Sequence, residues 1–79
     1  MVEIKVDETL WASVMAPEGL VERWFVPEGA TVTFGQAVAE VRIEDALHEL
    51  LAPAAGRLTI LASVDDMIEP GSILGRIGA

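Results

Sequence analysis

Turn-forming residues interrupt this sequence so often that its apolar segments can be no longer than short strands. Glycine, proline or aspartate turns fall at residues 17–19, 27–29, 34–35, 52–56, 65–66 and 70–71. Between them, apolar and polar residues often alternate with a period of two, which is typical of half-buried strands. Short strands between such frequent turns indicate a sandwich or a flattened barrel, so we predict an all-β fold.

The strands can be placed along the chain from this alternation. They are predicted at residues 2–6, 20–26, 31–33, 37–43, 47–51, 57–64, 67–69 and 72–77. Residues 7–16 have no sustained period and are interpreted as a loop, with a short helical turn capped by Asp7 or Thr9 as the alternative. Trp24 and Phe25 are adjacent in a strand and must point to opposite faces, so one belongs to the core and the other is partly exposed.

The chain also repeats itself. Residues 19–41 can be aligned with residues 56–77, with the second copy one residue shorter near Asp65 and Asp66. Each copy is a strand-turn-strand unit, so the repeat predicts a sandwich with pseudo-twofold symmetry. Residues 44–46 lie between the copies and are expected to project as a tight turn at one end of the molecule.

Length and composition limit what can hold such a fold together. The 79 residues form one predicted domain, 1–79, and a domain of this size buries only about 60% of the surface that its unfolded chain exposes. Hydrophobic residues make up 52% of the chain, mostly aliphatic, and there is no cysteine to form a disulfide or a thiolate metal site. The sequence leaves open whether this domain stands alone or comes from a longer chain.

The charge of the chain limits the classes of molecule that it is expected to bind. Thirteen acidic residues against one lysine and four arginines give a formal net charge of −8. Such a surface repels nucleic acids and anionic membranes and favours a protein partner with a basic surface. The segment Met1–Lys5 has no basic region followed by an apolar run, so we expect a soluble cytoplasmic protein. We also expect a monomer, since nothing in the sequence requires edge strands to pair between chains.

Several segments resemble the lipoyl/biotinyl carrier domain family, above all the lipoyl domains of acyltransferase components of 2-oxoacid dehydrogenase complexes. They are the Pro-Ala-Ala-Gly-Arg-Leu segment at 53–58, the Glu-Pro-Gly-Ser-Ile-Leu-Gly-Arg-Ile-Gly ending at 69–78, and the turns at 27–29 and 35–36. The resemblance extends over residues 2–78. It implies the family's flattened barrel or sandwich of two roughly four-stranded antiparallel sheets.

The resemblance breaks at the position that carries the family's chemistry. Lipoyl domains display Asp-Lys-Ala at the tip of a hairpin, and an ungapped count places that tripeptide on Glu44, Asp45 and Ala46. The family's lysine therefore corresponds to Asp45, and the chain's one lysine is Lys5, in the first strand. Attachment of lipoyl or biotin requires a primary amine, so the comparison implies that the fold is kept and that no cofactor is carried.

What remains at the tip is read in two ways. Glu44 and Asp45 are either an ordinary solvated turn or a recognition tip that docks on a basic partner, with Glu40 and Glu49 flanking it on the same hairpin. The loop residues Leu10 and Trp11, with Val14 and Met15, either cover an open end of the barrel or form an exposed contact patch. The resemblance implies that this loop lies beside the hairpin, which makes Trp11 the candidate aromatic anchor.

His48 is interpreted as a half-buried structural residue at a position where lipoyl domains carry an apolar one. We predict no catalytic residues and no metal site, and Asp65 and Asp66 are read as a turn. The predicted function is a non-catalytic binding or scaffold module. The alternatives are an accessory or degenerate carrier subunit of a 2-oxoacid dehydrogenase or biotin-dependent carboxylase system and, more remotely, a small enzyme that uses Asp45 and His48, which a convex tip disfavours.

Overall fold

The strands of the computed structural model follow the predicted alternation closely. The structure describes residues 2–7, 11 and 18–78. Its strands are β1 (Val2–Lys5), β2 (Gly19–Trp24), β3 (Thr31–Val32), β4 (Ala37–Ile43), β5 (Ala46–Leu51), β6 (Gly56–Ile60), β7 (Met67–Ile68) and β8 (Ile73–Gly78). The largest difference is in β6, which was predicted to continue to residue 64. It ends earlier because the N–H groups of Leu61 and Ala62 both bond the Leu74 carbonyl, which breaks the regular ladder.

The strands form two four-stranded sheets that pack face to face. Their orders are β1-β8-β6-β3 and β5-β4-β2-β7, and every pair is antiparallel. We call the second of these the hairpin sheet, since it contains the β4–β5 hairpin. This arrangement confirms the predicted all-β sandwich of two roughly four-stranded antiparallel sheets.

Aliphatic side chains from the inner faces of both sheets fill the core, as the composition predicted. The largest fully buried members are Ile4, Val21, Val32, Val38, Val41, Ile43, Leu58, Leu74 and Ile77. Trp24 packs against this cluster and donates its indole Nε1–H to the Ala62 carbonyl at 2.8 Å. Phe25 is 43% exposed. The structure therefore assigns Trp24, the last residue of β2, to the core side, and Phe25, which follows β2, to the solvent side.

Matching hydrogen bonds in the two halves support the predicted pseudo-twofold symmetry. Gly29 N–H bonds the Leu58 carbonyl at 2.8 Å, and Asp65 N–H bonds the Val21 carbonyl at the same 2.8 Å. Gly29 and Asp65 both have left-handed backbones, with φ of 82° and 72°. Asp65 thus takes the place of a glycine in the second copy, in a conformation that aspartate tolerates better than most residues.

The one-residue difference between the copies lies in β2 and not near Asp65 and Asp66, where the sequence alignment put it. In the β2–β4 ladder, pairing passes from Val21 opposite Val41 to Arg23 opposite Glu40, so the residue between them, Glu22, forms a bulge. The equivalent β6–β8 ladder is continuous. The prediction was wrong because the extra residue moves the inward-facing phase from Val21 to Trp24, and the similarity between the two copies alone does not locate such a shift.

Only Trp11 is described between residues 8 and 17. Its backbone N–H bonds the Asp7 carbonyl at 3.4 Å, the spacing of one helical turn, and its side chain is 7% exposed and belongs to the core. Trp11 therefore covers the core, the first of the two alternatives for this loop, whereas Thr9, Leu10, Val14 and Met15 lie outside the described residues. Within 2–7, 11 and 18–78, no helix is long and apolar enough to cross a membrane.

Candidate functional site

The hairpin formed by β4 and β5 ends in a two-residue turn, Glu44-Asp45. Pairing continues up to Ile43 opposite Ala46, which leaves only these two residues to reverse the chain. Glu44 has φ of 51°, a left-handed conformation that is uncommon outside glycine. Glu44, Asp45 and Ala46 are all exposed. The turn therefore presents two carboxylates at the end of a paired hairpin, where the sequence predicted a projecting tip.

Carboxylates dominate the electrostatics around this turn. The Arg42 Nε donates to Glu22 Oε1 at 3.1 Å. This hydrogen bond and the charge of Glu22 raise the pKa of Arg42 above its usual range, and the charges of Asp45 and Glu40 add to the effect. The bulge that carries Glu22 thus supplies a counter-ion to Arg42, a cation close to the turn on β4.

Glu40 and Glu49 were predicted to flank the turn and extend its acidic field. They lie farther from the turn than expected, and their surroundings differ. They face each other across the β4–β5 ladder, as the fourth pair from the turn. Glu40 Oε1 is 3.2 Å from Arg23 Nε, whereas Glu49 is exposed at the edge of the sheet. The pairing with Arg23 reduces the contribution of Glu40, so the acidic field is concentrated nearer the turn itself.

An open depression of about 340 Å³ lies beside the turn on the outer face of the hairpin sheet. It is lined by Glu18, Gly19, Leu20, Arg42, Glu44, Asp45 and Met67. Leu20 is the register partner of both Arg42 and Met67, so three strands form its floor. The sequence prediction missed this depression, because the contact of Leu20 with Met67 depends on the pairing of strands far apart in the chain.

His48 and Asp45 are not brought together. His48 is half-buried and stands opposite Val41, in the same phase as the buried Leu50. Its Nε2 atom is buried and has no hydrogen-bond partner in the described part of the chain. Asp45 lines the depression, and His48 does not. The prediction that His48 is a half-buried residue is confirmed.

Two further groups were considered in the sequence. Asp66 Oδ2 accepts a hydrogen bond from Ser63 N–H at 2.8 Å, so the Asp65-Asp66 segment closes a turn as predicted. In residues 2–7, 11 and 18–78 there is no group of three or more His, Cys, Asp or Glu residues that could hold a metal ion. Lys5 lies on β1, in the other sheet, with its Nζ 4.0 Å from Glu3 Oε1.

Comparison with known proteins places this hairpin in a family context. Residues 11–77 match the Biotin_lipoyl family model, described as "Biotin-requiring enzyme". The chain belongs to this biotin/lipoyl family. It is also 34% identical over 62 residues to the dihydrolipoyllysine-residue acetyltransferase component of the pyruvate dehydrogenase complex of Corynebacterium glutamicum. That match covers 77% of this chain and 9% of the relative, so the chain spans only a small part of that protein's length.

The fold of this biotin/lipoyl-family chain also resembles a solved structure. The lipoyl domain of the 2-oxoglutarate dehydrogenase complex from Azotobacter vinelandii superposes with a TM-score of 0.79, over 100% of this chain and 98% of that one. The two are 21% identical in sequence, so the likeness concerns the fold. Together with the family match, it confirms the resemblance inferred from the turn spacing and the Pro-Ala-Ala-Gly segment.

In this biotin/lipoyl-family chain, replacing His48 by leucine is expected to raise the free energy of unfolding. Leucine fills a similar volume and removes the buried, unpartnered Nε2 atom, which is worth about 1 kcal/mol. Urea unfolding followed by tryptophan fluorescence measures the change. His48→Gln, which keeps a polar group there, is the control and is expected to give no gain. A lower stability of His48→Leu would show that the imidazole contributes favourably to the packing.

Proposed function

We propose that this chain is a lipoyl-type domain that works without a covalent cofactor, as a non-catalytic module that binds a protein partner through its β4–β5 turn. The observation that carries the proposal is the residue at the turn. When the family's Asp-Lys-Ala tripeptide is aligned without a gap on residues 44–46, Asp45 corresponds to the modified lysine. The hairpin that carries it is paired up to the turn. The chain thus has the hairpin of a carrier domain but no lysine at the turn.

The chemistry of attachment supports this reading. Lipoyl and biotin are joined to their carriers by an amide bond, which requires a primary amine on a long stem such as that of lysine. A carboxylate at Asp45 offers no amine, and its side chain is short. Lys5 belongs to β1 in the opposite sheet, beside Glu3. The residues of the turn therefore do not fit either group, and no carrier step is assigned to them.

The exposed carboxylates of the turn suit a docking role. Glu44 and Asp45 lie outside the packed sheets, so a partner can reach them with little rearrangement of the domain. The net charge of −8 favours association with a positively charged surface, mainly through the rate of encounter. Partner contact by Leu10 is part of the same proposal, whereas Trp11 is 7% exposed and packs in the core.

A second candidate function is an accessory or degenerate subunit of a 2-oxoacid dehydrogenase or a biotin-dependent carboxylase. The likeness to the acetyltransferase component of a pyruvate dehydrogenase complex favours it. Both candidates share the lysine-free docking tip and differ in the identity of the partner. Mass spectrometry of proteins that co-purify with the chain separates them, because the second requires a subunit of one of these enzymes among the partners.

Capture of the partner from the native host tests the binding role. A partner retained by the tagged wild-type chain is expected to be recovered about fivefold less with the double variant Glu44→Gln, Asp45→Asn, since exposed charge pairs contribute up to about 1 kcal/mol. Glu3→Gln together with Glu69→Gln removes two negative charges elsewhere and serves as the matched control. Equal recovery by all three proteins would contradict docking through the turn.

A further inference from the structure

The depression beside the β4–β5 turn combines an apolar floor with an acidic rim. Leu20 is half-buried and Met67 is 66% exposed, and the two are register partners on β2 and β7. Leu47 extends this row on the far side of Arg42, with which it pairs, and is 46% exposed. Apolar side chains exposed in a concave surface are typical of a contact site.

The charges around this floor are unequal. Glu18, Glu44 and Asp45 line the depression, and Arg42 is the one cation among its lining residues. The Arg42 guanidinium is already bonded to Glu22, which lies outside the lining set. Glu18 and Asp45 therefore leave an excess of negative charge directly beside apolar surface, which is complementary to a basic side chain on an apolar segment.

We propose that this depression is the docking site for a partner segment in which a lysine or arginine stands between apolar residues. The apolar residues pack on Leu20 and Met67, and the cationic head reaches the carboxylates of Glu18 and Asp45. Long basic side chains do this readily, because their methylene stems cover apolar surface while the charge stays at the rim. The inference rests on the proposed binding function and names the chemistry of the partner.

Charge complementarity selects this occupant over the others. A second copy of the chain would bring the same carboxylates against themselves, and like charges in a contact are unfavourable. An acidic segment is disfavoured for the same reason. A purely apolar segment would bury the carboxylates of Glu18 and Asp45 without partners, which costs free energy. A basic and apolar segment satisfies both parts of the surface.

Titration of the ¹⁵N-labelled chain with a blocked peptide, Ser-Leu-Lys-Leu-Ser, tests the proposal by NMR. The largest amide shifts are expected around the depression, at Gly19, Leu20, Arg42, Asp45 and Met67. A peptide with norleucine in place of lysine, and another with serine in place of both leucines, are each expected to bind at least about threefold more weakly. Raised salt should weaken the lysine peptide more than the norleucine peptide.

Paired variants separate a specific site from general attraction to an acidic protein. Asp45→Asn is expected to weaken the lysine peptide about threefold, and Glu3→Gln, with the same charge change on β1, by less than half that factor. Met67→Gln is expected to weaken it to a similar extent without changing the charge. Phe34→Gln is its control, since Phe34 is 78% exposed in the turn at the opposite end of β4.

The outcomes separate this inference from the proposed function. Shifts spread over both sheets, or equal effects of Asp45→Asn and Glu3→Gln, would overturn the docking site. Shifts at the same amides on concentrating the free chain, with a dimer in sedimentation, would overturn it in favour of a second copy. A lipoyl or biotinyl adduct on the wild-type chain would overturn the proposed function and leave the peptide result unaffected.

Discussion

The variant Asp45→Lys, expressed with an active lipoate ligase and lipoate, is expected to become lipoylated. The wild-type hairpin already fixes the turn at two residues, with Ile43 opposite Ala46, and Asp45 is exposed. A lysine at position 45 would project its amine from the tip of the β4–β5 hairpin, on a flexible stem long enough to reach a ligase active site. Intact-mass measurement detects the adduct, and the expected change is from no modification to nearly complete modification.

The neighbouring residue provides a control for position. Glu44→Lys introduces the same amine and the same change in charge, one residue earlier in the turn. Glu44 has a left-handed backbone with φ of 51°, so its side chain leaves the hairpin in a different direction and is expected to be modified far less. A folded Asp45→Lys variant that stays unmodified would show that the chain has lost the surface recognised by the ligase as well as the lysine.

Replacing Gly56 by alanine is expected to destabilise the sandwich strongly. A Cβ at this position would overlap the Gly78 carbonyl oxygen and approach Ile77 Cγ2 to 2.9 Å, with φ of 151°. Because both contacts lie on β8 and Gly56 lies on β6, one of these two inner strands of the sheet must move. We expect a loss of about 3–5 kcal/mol in the free energy of unfolding, measured by urea denaturation.

Gly29 separates the steric contribution from backbone strain. It also has a positive φ, 82°, but a Cβ there would meet no atom within 4 Å. Gly29→Ala is therefore expected to cost only about 1–2 kcal/mol, the penalty of a left-handed conformation for a residue with a side chain. Equal losses for the two variants would contradict the view that close packing of β6 on β8 holds this end of the sandwich.

Local signals in the sequence were sufficient to predict most of the fold. Period-two alternation and turn residues marked each strand. Strand geometry also predicted that Trp24 and Phe25 point to opposite faces, and the structure shows that Trp24 is the one that faces the core. The turn was predicted at residues 44–46 and lies at Glu44-Asp45, because the hairpin is local and its pairing is regular from Ala39 to the turn. Such features depend on neighbouring residues, which a sequence displays directly.

The features that the sequence did not reveal depend on pairing between distant strands. The one-residue difference between the copies was placed near Asp65 and Asp66 instead of at Glu22, because sequence similarity alone does not locate a bulge. The depression was missed because Leu20 and Met67 meet only when β2 and β7 share a sheet. The Arg23–Glu40 ion pair arises from the register of the bulged ladder. Each of these requires the register of the folded sheet, which composition and periodicity do not specify.

The central claim is that this biotin/lipoyl-family domain carries no covalent cofactor, and the intact mass of the wild-type protein tests it most directly. The chain is to be expressed with active lipoate and biotin ligases and with added lipoate and biotin, in cells that also express a lysine-bearing carrier domain as a positive control. We predict that the carrier domain is modified and that this chain has the mass of its unmodified sequence. A lipoyl or biotinyl adduct on this chain would contradict the claim.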